Sequence, residues 1–438
     1  MERLIMQDLR EWKTRPDRKP LLLQGARQTG KTWALQELGR QDFETAVTVD
    51  FLLDQSARSL FERDLDPHRI IRAIEVRCGQ RIEPGRTLLV LDEVQEAPRG
   101  ITALKYFCEQ APEYHVAAAG SYMGIELRRR RESFPVGKVD RLTLRPLCFQ
   151  EFVRAVAGAP AAEALAEADM DLLADQSALF EGLLREYLAV GGMPQVVASY
   201  AALRNLVAAR RLQLQIASDY SADFSTHAPT NLLERVRMVW ESLPSQLARE
   251  NKKFLYGAVR SGGRGRDFET CIQWLEDYGA ARRVRRARAL RLPLNGYEDP
   301  AAFKLFSVDV GLLGAMAGLD MRAVTEDSTL FTKFKGALTE QYVLQELVCA
   351  GLSPYYWSAD SGTAEVDFAV ECDGEVLPIE VKAGENLRSK SLRSAHDRFG
   401  LERCVRTSLS GYRDDGWLVN IPLWAIGSLQ RLTGAQPV

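Results

Sequence analysis

The sequence predicts an α/β protein that begins with a parallel β-sheet covered by helices on both faces. Short apolar runs alternate with helical patterns over residues 1–145, and this alternation is typical of such a sheet. A glycine-rich loop follows the first apolar run, and two acidic residues follow the third. The predicted strands contain residues 21–23, 46–49, 88–91 and 116–119.

Composition describes an ordinary globular protein of several domains. The chain has 438 residues, of which 46% are hydrophobic and 26% are charged. No apolar run approaches the roughly 18 residues that a membrane span requires, and the first residues do not resemble a secretory signal. The seven cysteines form no C-x-x-C pair and the four histidines are far apart, which argues against a zinc site or a disulfide framework. We therefore expect a cytoplasmic protein with reduced thiols and no membrane partner.

The loop after the first predicted strand matches the phosphate-binding pattern G-x-x-x-x-G-K-[ST] at every fixed position. A helical pattern follows it, which is the structural context that the motif requires. Glycines allow backbone N–H groups to surround phosphate oxygens, while Lys31 reaches the β- and γ-phosphates and the Thr32 hydroxyl binds Mg²⁺. The predicted ATP-binding residues are Gly25, Ala26, Arg27, Gln28, Thr29, Gly30, Lys31 and Thr32.

Polar side chains also end the next two apolar runs. Asp92 and Glu93 follow the third run, an arrangement in which Asp92 would hold Mg²⁺ and Glu93 would polarise the attacking water. Ser121 follows the fourth run, where its hydroxyl is either a sensor beside the γ-phosphate or an ordinary turn residue. With Lys31, these residues predict an ATP-hydrolysing site.

These motifs resemble a family of prokaryotic AAA-type ATPases that carry a nuclease-like C-terminal domain. The resemblance implies an AAA-type parallel-sheet ATPase domain (1–145), a helical lid (146–225), a winged-helix-like basic middle (226–300) and a restriction-endonuclease-like α/β domain (325–438). Family members usually carry Gly-Arg where this chain has Gly137-Lys138, which leaves Arg141 as a substitute arginine finger. The matching segments are 25–32, 92–95, 120–121, 145–149, 191–194 and 309–313.

The middle of the chain is strongly basic although the net charge is only −2. Residues 252–291 contain eleven Lys or Arg and four Asp or Glu, a local balance of +7. Helices followed by an arginine-rich ribbon over 280–288 are similar to a winged helix, which would contact double-stranded DNA. The alternatives are a solvated basic face and a surface that docks domains together, since Trp274 and its neighbours also suit a core stripe.

A hairpin near the C-terminus predicts a second group of acidic residues. Asp373-Gly374 is a strong turn signal, and the numbers of directly opposed residues then sum to 747, so that Asp367 faces Glu380. Two opposed carboxylates about 5 Å apart are destabilising without a counter-charge. A Mg²⁺ ion or Lys382 would supply it.

The order D…E-x-K on such a hairpin is similar to the core of PD-(D/E)XK nucleases, in which Asp367 and Glu380 would bind Mg²⁺ and Lys382 would activate water. The family resemblance adds Glu340 as a third metal ligand. The alternative is a salt bridge between Glu365 and Lys382 in an inactive fold.

Two functions follow from these motifs. The first is a Mg²⁺-dependent ATPase whose nucleotide state controls a nuclease-like module that acts on DNA. The second is a nucleotide switch that binds a protein partner through an inactive C-terminal domain. The sequence leaves assembly into a homo-oligomer open.

Overall fold

The computed structural model describes residues 1–121, 134–326, 332–360, 364–384 and 389–434. They divide into an N-terminal unit, Glu2–Arg145 with Asp277–Gly279, and a C-terminal unit, Pro146–Glu276 and Ala280–Val438 with Met1. The division after Arg145 coincides with the predicted end of the first domain. The three later segments, predicted as separate domains, belong to one compact unit.

The N-terminal unit is built on a five-stranded parallel sheet. All four predicted strands are confirmed, and a fifth follows them in the chain. The order across the sheet is β2-β3-β4-β1-β5, which places β4 between the strand before the phosphate loop and the strand before Asp92. The strands are β1 (Leu21–Gln24), β2 (Thr45–Asp50), β3 (Thr87–Asp92), β4 (His115–Gly120) and β5 (Asp140–Thr143).

Helices cover both faces of this sheet because successive strand residues alternate between them. Leu21 and Leu23 pack with α1 and α2, whereas Leu22 faces the cluster formed with α4 and α5. The near-continuous burial of β3 and β4 is what a parallel sheet covered on both faces requires. The helices are α1 (Ile5–Thr14), α2 (Lys31–Asp42), α3 (Ser59–Glu62), α4 (Pro67–Cys78) and α5 (Pro98–Gln110).

The C-terminal unit begins with a series of helices. The first six are α6 (Phe149–Ala157), α7 (Ala159–Glu167), α8 (Met170–Asp175), α9 (Ser177–Val190), α10 (Pro194–Leu203) and α11 (Leu206–His227). The basic middle contains α12 (Leu233–Leu247), α13 (Tyr256–Val259) and α14 (Gly265–Tyr278). The later helices are α15 (Val310–Met316), α16 (Met321–Thr325), α17 (Thr332–Cys349), α18 (Lys390–Phe399) and α19 (Leu429–Leu432). None of the helices in the described ranges is long and apolar enough to cross a membrane.

A mixed eight-stranded sheet forms the rest of this unit. Its strands are β6 (Ala281–Ala287), β7 (Glu298–Ser307), β8 (Tyr355–Ser358), β9 (Glu365–Cys372), β10 (Glu375–Val381), β11 (Cys404–Ser408), β12 (Arg413–Asp414) and β13 (Leu418–Pro422). The order is β12-β13-β11-β10-β9-β8-β6-β7. The predicted basic ribbon therefore exists as β6 and β7, but β6 also pairs with β8. Through this pairing the ribbon is part of the C-terminal sheet, and the winged-helix-like middle stays a prediction.

A buried polar network joins distant segments of the C-terminal unit. The Asp309 carboxylate accepts hydrogen bonds from the Gly192 N–H at 2.6 Å and the Leu312 N–H at 3.0 Å. The Leu147 N–H donates to the Gly192 carbonyl at 2.7 Å, and a Cβ at position 192 would lie 2.1 Å from the Leu147 oxygen. Three segments that carry the family resemblance therefore meet here, namely 145–149, 191–194 and 309–313.

Glu346 lies beside this network as a carboxylate that is only 3% exposed. Its Oε1 accepts a hydrogen bond from the Phe149 N–H at 2.8 Å. Burial raises the pKa of Glu346 to about 8, and the Phe149 hydrogen bond opposes the shift only in part. The folded protein therefore binds a proton between about pH 4.5 and 8 that the unfolded chain releases.

Glu346→Gln should make the free energy of unfolding less sensitive to pH, because the parent loses stability as the pH rises. The raised folded pKa means that folding holds a proton, so stability falls from about pH 4.5 to 8. Glutamine stays neutral and keeps the acceptor for Phe149. We expect the free energy of unfolding of the variant, measured in urea, to exceed that of the parent by on the order of 2–4 kcal/mol at pH 8. At pH 5 the difference should be small. The exposed Glu241→Gln is the control, and an equal response of both variants would contradict the assignment.

Candidate active site in the N-terminal unit

The phosphate-binding loop connects β1 to α2 in a conformation that requires its glycines. Gly30 has φ 93° and directly precedes α2, and a left-handed φ is accessible to glycine without steric cost. A Cβ on Gly25 would lie 2.2 Å from the Leu144 carbonyl oxygen, so the backbone fits there only without a side chain. The helix N-terminus and the backbone N–H groups of the loop favour an anion.

Lys31 is the most buried charged group of the loop, with 6% exposure. Its Nζ donates to the carbonyls of Gly25 at 3.1 Å and Ala26 at 2.8 Å, and to Ser121 Oγ at 2.8 Å. Burial lowers the pKa of Lys31 to about 8, although Glu93 and Asp92 oppose this shift. A buried ammonium whose bonded acceptors are all neutral is poorly compensated, and an anionic ligand would supply the missing charge.

Asp92 and Thr32 form an oxygen pair beside Lys31. Asp92 is 2% exposed, and burial raises its pKa while a hydrogen bond with the Thr32 side chain opposes that shift. Carboxylate and hydroxyl oxygens are hard ligands of the kind that Mg²⁺ prefers. The two side chains therefore fit a divalent cation that also binds the phosphates.

Glu93 is held in a strained backbone conformation at the same edge of the sheet. Its φ of 50° lies in the left-handed region, which costs a non-glycine residue about 1 kcal/mol or more. Its N–H donates to Asp92 Oδ1 at 3.0 Å, and its Oε2 accepts a hydrogen bond from Gln95 Nε2. Sequence reasoning did not assign a role to Gln95, although it belongs to the matching segment 92–95.

Arg3 is a second residue that the sequence did not indicate. It is 5% exposed, and its Nη1 donates to the Thr29 carbonyl at 3.0 Å while its Nη2 donates to the Arg145 carbonyl at 2.6 Å. Thr29 Oγ1 in turn donates to the Ala26 carbonyl at 2.9 Å. These contacts brace the phosphate loop from the chain N-terminal to α1, too far away in sequence for a motif to reveal.

The two residues considered as arginine-finger positions have local partners. Lys138 Nζ forms an ion pair with Glu109 at 2.9 Å. The Arg141 guanidinium lies 4.1 Å from the centre of the Phe134 ring and is exposed. The loop residues Arg27 and Gln28 precede Thr29, and Gln28 has φ 63°.

The C-terminal hairpin has the predicted register. Glu375 pairs with Cys372 and Ile379 with Phe368, so the numbers of opposed residues sum to 747. Asp373 and Gly374 both have positive φ, as the two-residue turn requires. The register prediction is therefore confirmed, and it brings Asp367 towards the end of β10, where its Oδ2 accepts a hydrogen bond from the Val381 N–H at 2.8 Å.

Lysine side chains form ion pairs with the carboxylates of Glu340, Glu365 and Glu380. Lys304 Nζ lies 2.6 Å from Glu365 Oε1 and 3.6 Å from Glu340 Oε2. Lys252 forms an ion pair with Glu340, and Lys382 Nζ lies 2.8 Å from Glu380 Oε1. Glu365 thus pairs with Lys304 instead of Lys382. We call these residues, with Asp367, the lysine–carboxylate cluster.

The charges of the cluster shift one another's pKa values. Burial disfavours the charge of Lys304, but Glu340, Glu365 and Asp367 outweigh it and raise the pKa of Lys304. Burial also disfavours the charge of Glu340, while Lys304 and Lys252 lower its pKa. Burial and Glu340 raise the pKa of Asp367 to about 7.

Among the residues that the structure describes, no three His, Cys, Asp or Glu side chains are grouped so that they could hold a metal ion. Ammonium groups lie beside two of the three expected ligands, Lys304 beside Glu340 and Lys382 beside Glu380, and the metal site of Glu340, Asp367 and Glu380 stays a prediction.

Four arginines of the basic ribbon form ion pairs. Arg283 has a side-chain exposure of only 6% and pairs with Glu269 and Glu276, both at 2.9 Å. The remaining ribbon pairs are Arg285 with Glu298, Arg286 with Asp299 and Asp360, and Arg288 with Asp299. Carboxylates of the same unit therefore compete with DNA phosphates for these arginines, and DNA contact through the ribbon stays a prediction.

Comparison with known proteins identifies the first part of the chain. Residues 17–153 match the family model described as AAA domain, while 181–323 and 335–425 match two domains of unknown function, DUF8612 and DUF4143. No curated protein matches the chain.

Among solved structures, a Walker-type ATPase of Pyrococcus abyssi is 12% identical, with 71% of this chain and 94% of that chain covered and a TM-score of 0.43. The ORC2 protein of Aeropyrum pernix, solved in ADPNP–ADP complexes, is 11% identical, with 75% and 96% covered and a TM-score of 0.34. From the family match and the phosphate loop, the N-terminal part of this chain is an AAA-type, ATPase-like P-loop domain.

Proposed function

We propose that the N-terminal unit binds ATP together with Mg²⁺ and hydrolyses it. The observation that carries the proposal is the position of Lys31, a buried ammonium that bonds only neutral oxygens while Asp92 and Glu93 lie nearby. An ATP phosphate would take the place of the backbone carbonyls as the acceptor for Lys31. Thr32 and Asp92 would hold Mg²⁺, which when bound offsets the charge of the phosphate oxygens.

The other residues of the site act on the water and on the γ-phosphate. Glu93 would orient and polarise the attacking water, and Gln95 keeps its carboxylate in place through the hydrogen bond to Oε2. Ser121 Oγ already accepts a hydrogen bond from Lys31, and as a sensor its hydroxyl would contact the γ-phosphate. Because these residues follow β1, β3 and β4, the carboxyl ends of parallel strands bring them together.

For the C-terminal unit we propose a role in binding rather than metal-dependent strand cleavage. Lys304 supports this choice, since this buried lysine already pairs with Glu340, one of the three carboxylates that a nuclease would use for its metal ion. A C-terminal domain without cleavage activity is one part of the second function predicted from the sequence, a nucleotide switch that binds a protein partner.

Bound nucleotide would control the C-terminal unit through the short segment of chain that joins the two units. The Leu144 carbonyl packs against Gly25 of the phosphate loop, and Leu147, three residues later, donates its N–H to Gly192.

Lys31→Ala should remove most ATP binding. A charge-assisted hydrogen bond is worth about 1.5–3 kcal/mol, so we expect the affinity for ATP to fall by at least about 10- to 100-fold. Titration calorimetry with ATP and Mg²⁺ would measure the loss. The exposed Lys105→Ala, in the same unit, should bind as the parent does. An unchanged affinity of the Lys31 variant would refute the proposed site.

A further inference from the structure

The exposed side of α14 differs in character from its buried side. Towards the core the helix presents apolar side chains at Phe268, Cys271, Ile272, Trp274 and Leu275. Towards solvent it presents Arg266, Thr270 and Gln273, at positions i, i+4 and i+7 of one helical face. The Trp274 stripe is therefore core, and the outer face is a row of hydrogen-bonding side chains.

The loop before α14 adds two more exposed arginines. Arg260 and Arg264 lie between α13 and α14. In the ranges that the structure describes, neither they nor Arg266 form a side-chain ion pair, in contrast to the arginines of the ribbon. This loop and helix thus form one cationic surface of the basic middle, which we call the α14 face (Arg260, Arg264, Arg266, Thr270 and Gln273).

Packing holds the loop in one position on the C-terminal unit. The Gly263 N–H donates to the Arg260 carbonyl at 2.8 Å, and a Cβ at position 263 would lie 2.6 Å from the Tyr256 oxygen. The Arg264 N–H donates to Asp267 Oδ2 at 3.0 Å, which occupies the nearest carboxylate at the start of the helix. The arginines therefore project from a fixed backbone.

Local carboxylates do not neutralise this face as they do the ribbon. Glu269 points to the other side, where it accepts from the Tyr256 hydroxyl and pairs with Arg283 at 2.9 Å. Glu276 also pairs with Arg283. Phosphates of a partner are the groups that three unpaired guanidinium groups fit best.

We propose that the α14 face binds the major groove of double-stranded DNA, with Arg260 and Arg264 on phosphates and Arg266, Thr270 and Gln273 towards base edges. The B-form major groove admits an α-helix, and Arg, Gln and Thr pair with guanine, adenine and either base respectively. From Arg266 to Gln273 the helix rises about 10 Å, which spans about three base pairs. Duplex RNA fits less well, since its major groove is too narrow for a helix.

The test measures anisotropy of a labelled DNA duplex across a series of salt concentrations, without nucleotide and with a non-hydrolysable ATP analogue. The triple variant Arg260→Ala/Arg264→Ala/Arg266→Ala should bind about 10-fold more weakly or worse, with a salt slope reduced by about 0.9 for each lost phosphate contact. Thr270→Glu, which leaves every arginine in place, should also weaken binding by placing a carboxylate on the face.

A charge-matched control removes three exposed arginines from the N-terminal unit, Arg40, Arg63 and Arg81. The proposal fails if this control weakens binding as much as the α14 variant, since only net charge would then matter. It also fails if the parent binds no duplex in either nucleotide condition, which would favour an acidic protein partner, or if it binds duplex RNA as tightly. Because ATP binding is measured separately, none of these results bears on Lys31.

Discussion

Glu93→Gln should reduce ATP turnover by about 10²- to 10⁴-fold, the usual contribution of a positioned general base, while the affinity for ATP stays within a few-fold of the parent. Glutamine has the same shape and can still contact Gln95, but it cannot accept a proton from water. The backbone of Glu93 is consistent with a functional role, since a left-handed conformation costs a non-glycine residue about 1 kcal/mol or more and strained residues often lie at active sites.

Glu96→Gln is the matched control for this experiment. Glu96 lies one turn later and forms an ion pair with Arg58 at 2.9 Å, so the change removes a carboxylate of the same region without touching the proposed water. We expect its turnover to stay close to that of the parent. Single-turnover phosphate release would measure chemistry, and calorimetry would measure binding. Parental turnover in Glu93→Gln would show that another group activates the water.

Lys304→Met should destabilise the protein by about 3–5 kcal/mol, because it leaves Glu365 without its cation and leaves Glu340 with only Lys252 as a counter-charge. Lys304 is 1% exposed, and methionine fills a similar volume. Urea unfolding would measure the loss. The added change Glu340→Gln should recover part of it, since it removes one of the charges that Lys304 offsets.

Lys382→Met is the control within the same cluster. Its partner is Glu380, and its side chain is 28% exposed, so solvent screens the pair and the expected cost is about 1 kcal/mol or less. Equal costs for the two lysine variants would contradict a special role for Lys304.

A metal titration tests whether the cluster binds a divalent ion, as the sequence predicted, or needs only the ammonium of Lys304 as a counter-charge. In a Lys31→Ala background, where the ATP site is impaired, Mg²⁺ or Mn²⁺ should leave the melting temperature unchanged, and a supercoiled plasmid should stay intact. A clear rise in melting temperature that Asp367→Asn abolishes would instead support a divalent ion held by Asp367 and Glu380.

Local patterns were sufficient for the strands of the N-terminal unit and for the register of the C-terminal hairpin. The four apolar runs became β1 to β4, because a sheet buried on both faces leaves little choice for such segments. The hairpin register followed from Asp373-Gly374, since a two-residue turn determines every opposed pair beyond it. These features depend on neighbours in the sequence.

The partners of charged side chains depended on contacts that no local pattern contains. Lys304 lies in the apolar run of β7, and a lone lysine in such a run was a signal that it needs a buried partner. The sequence predicted a DNA surface for the ribbon arginines, whereas the fold places Glu276 of α14 and Glu298 and Asp299 of β7 beside them.

The sequence by itself determined the phosphate loop, the strand ends that carry Asp92, Glu93 and Ser121, and the turn of the hairpin, because each is a short segment whose geometry its own residues impose. Only the tertiary structure decided which ion neutralises Glu340, where Arg3 donates its hydrogen bonds, and which arginines remain exposed on the α14 face. A buried charge is stable only beside its counter-charge, and in this fold that partner comes from a distant part of the chain.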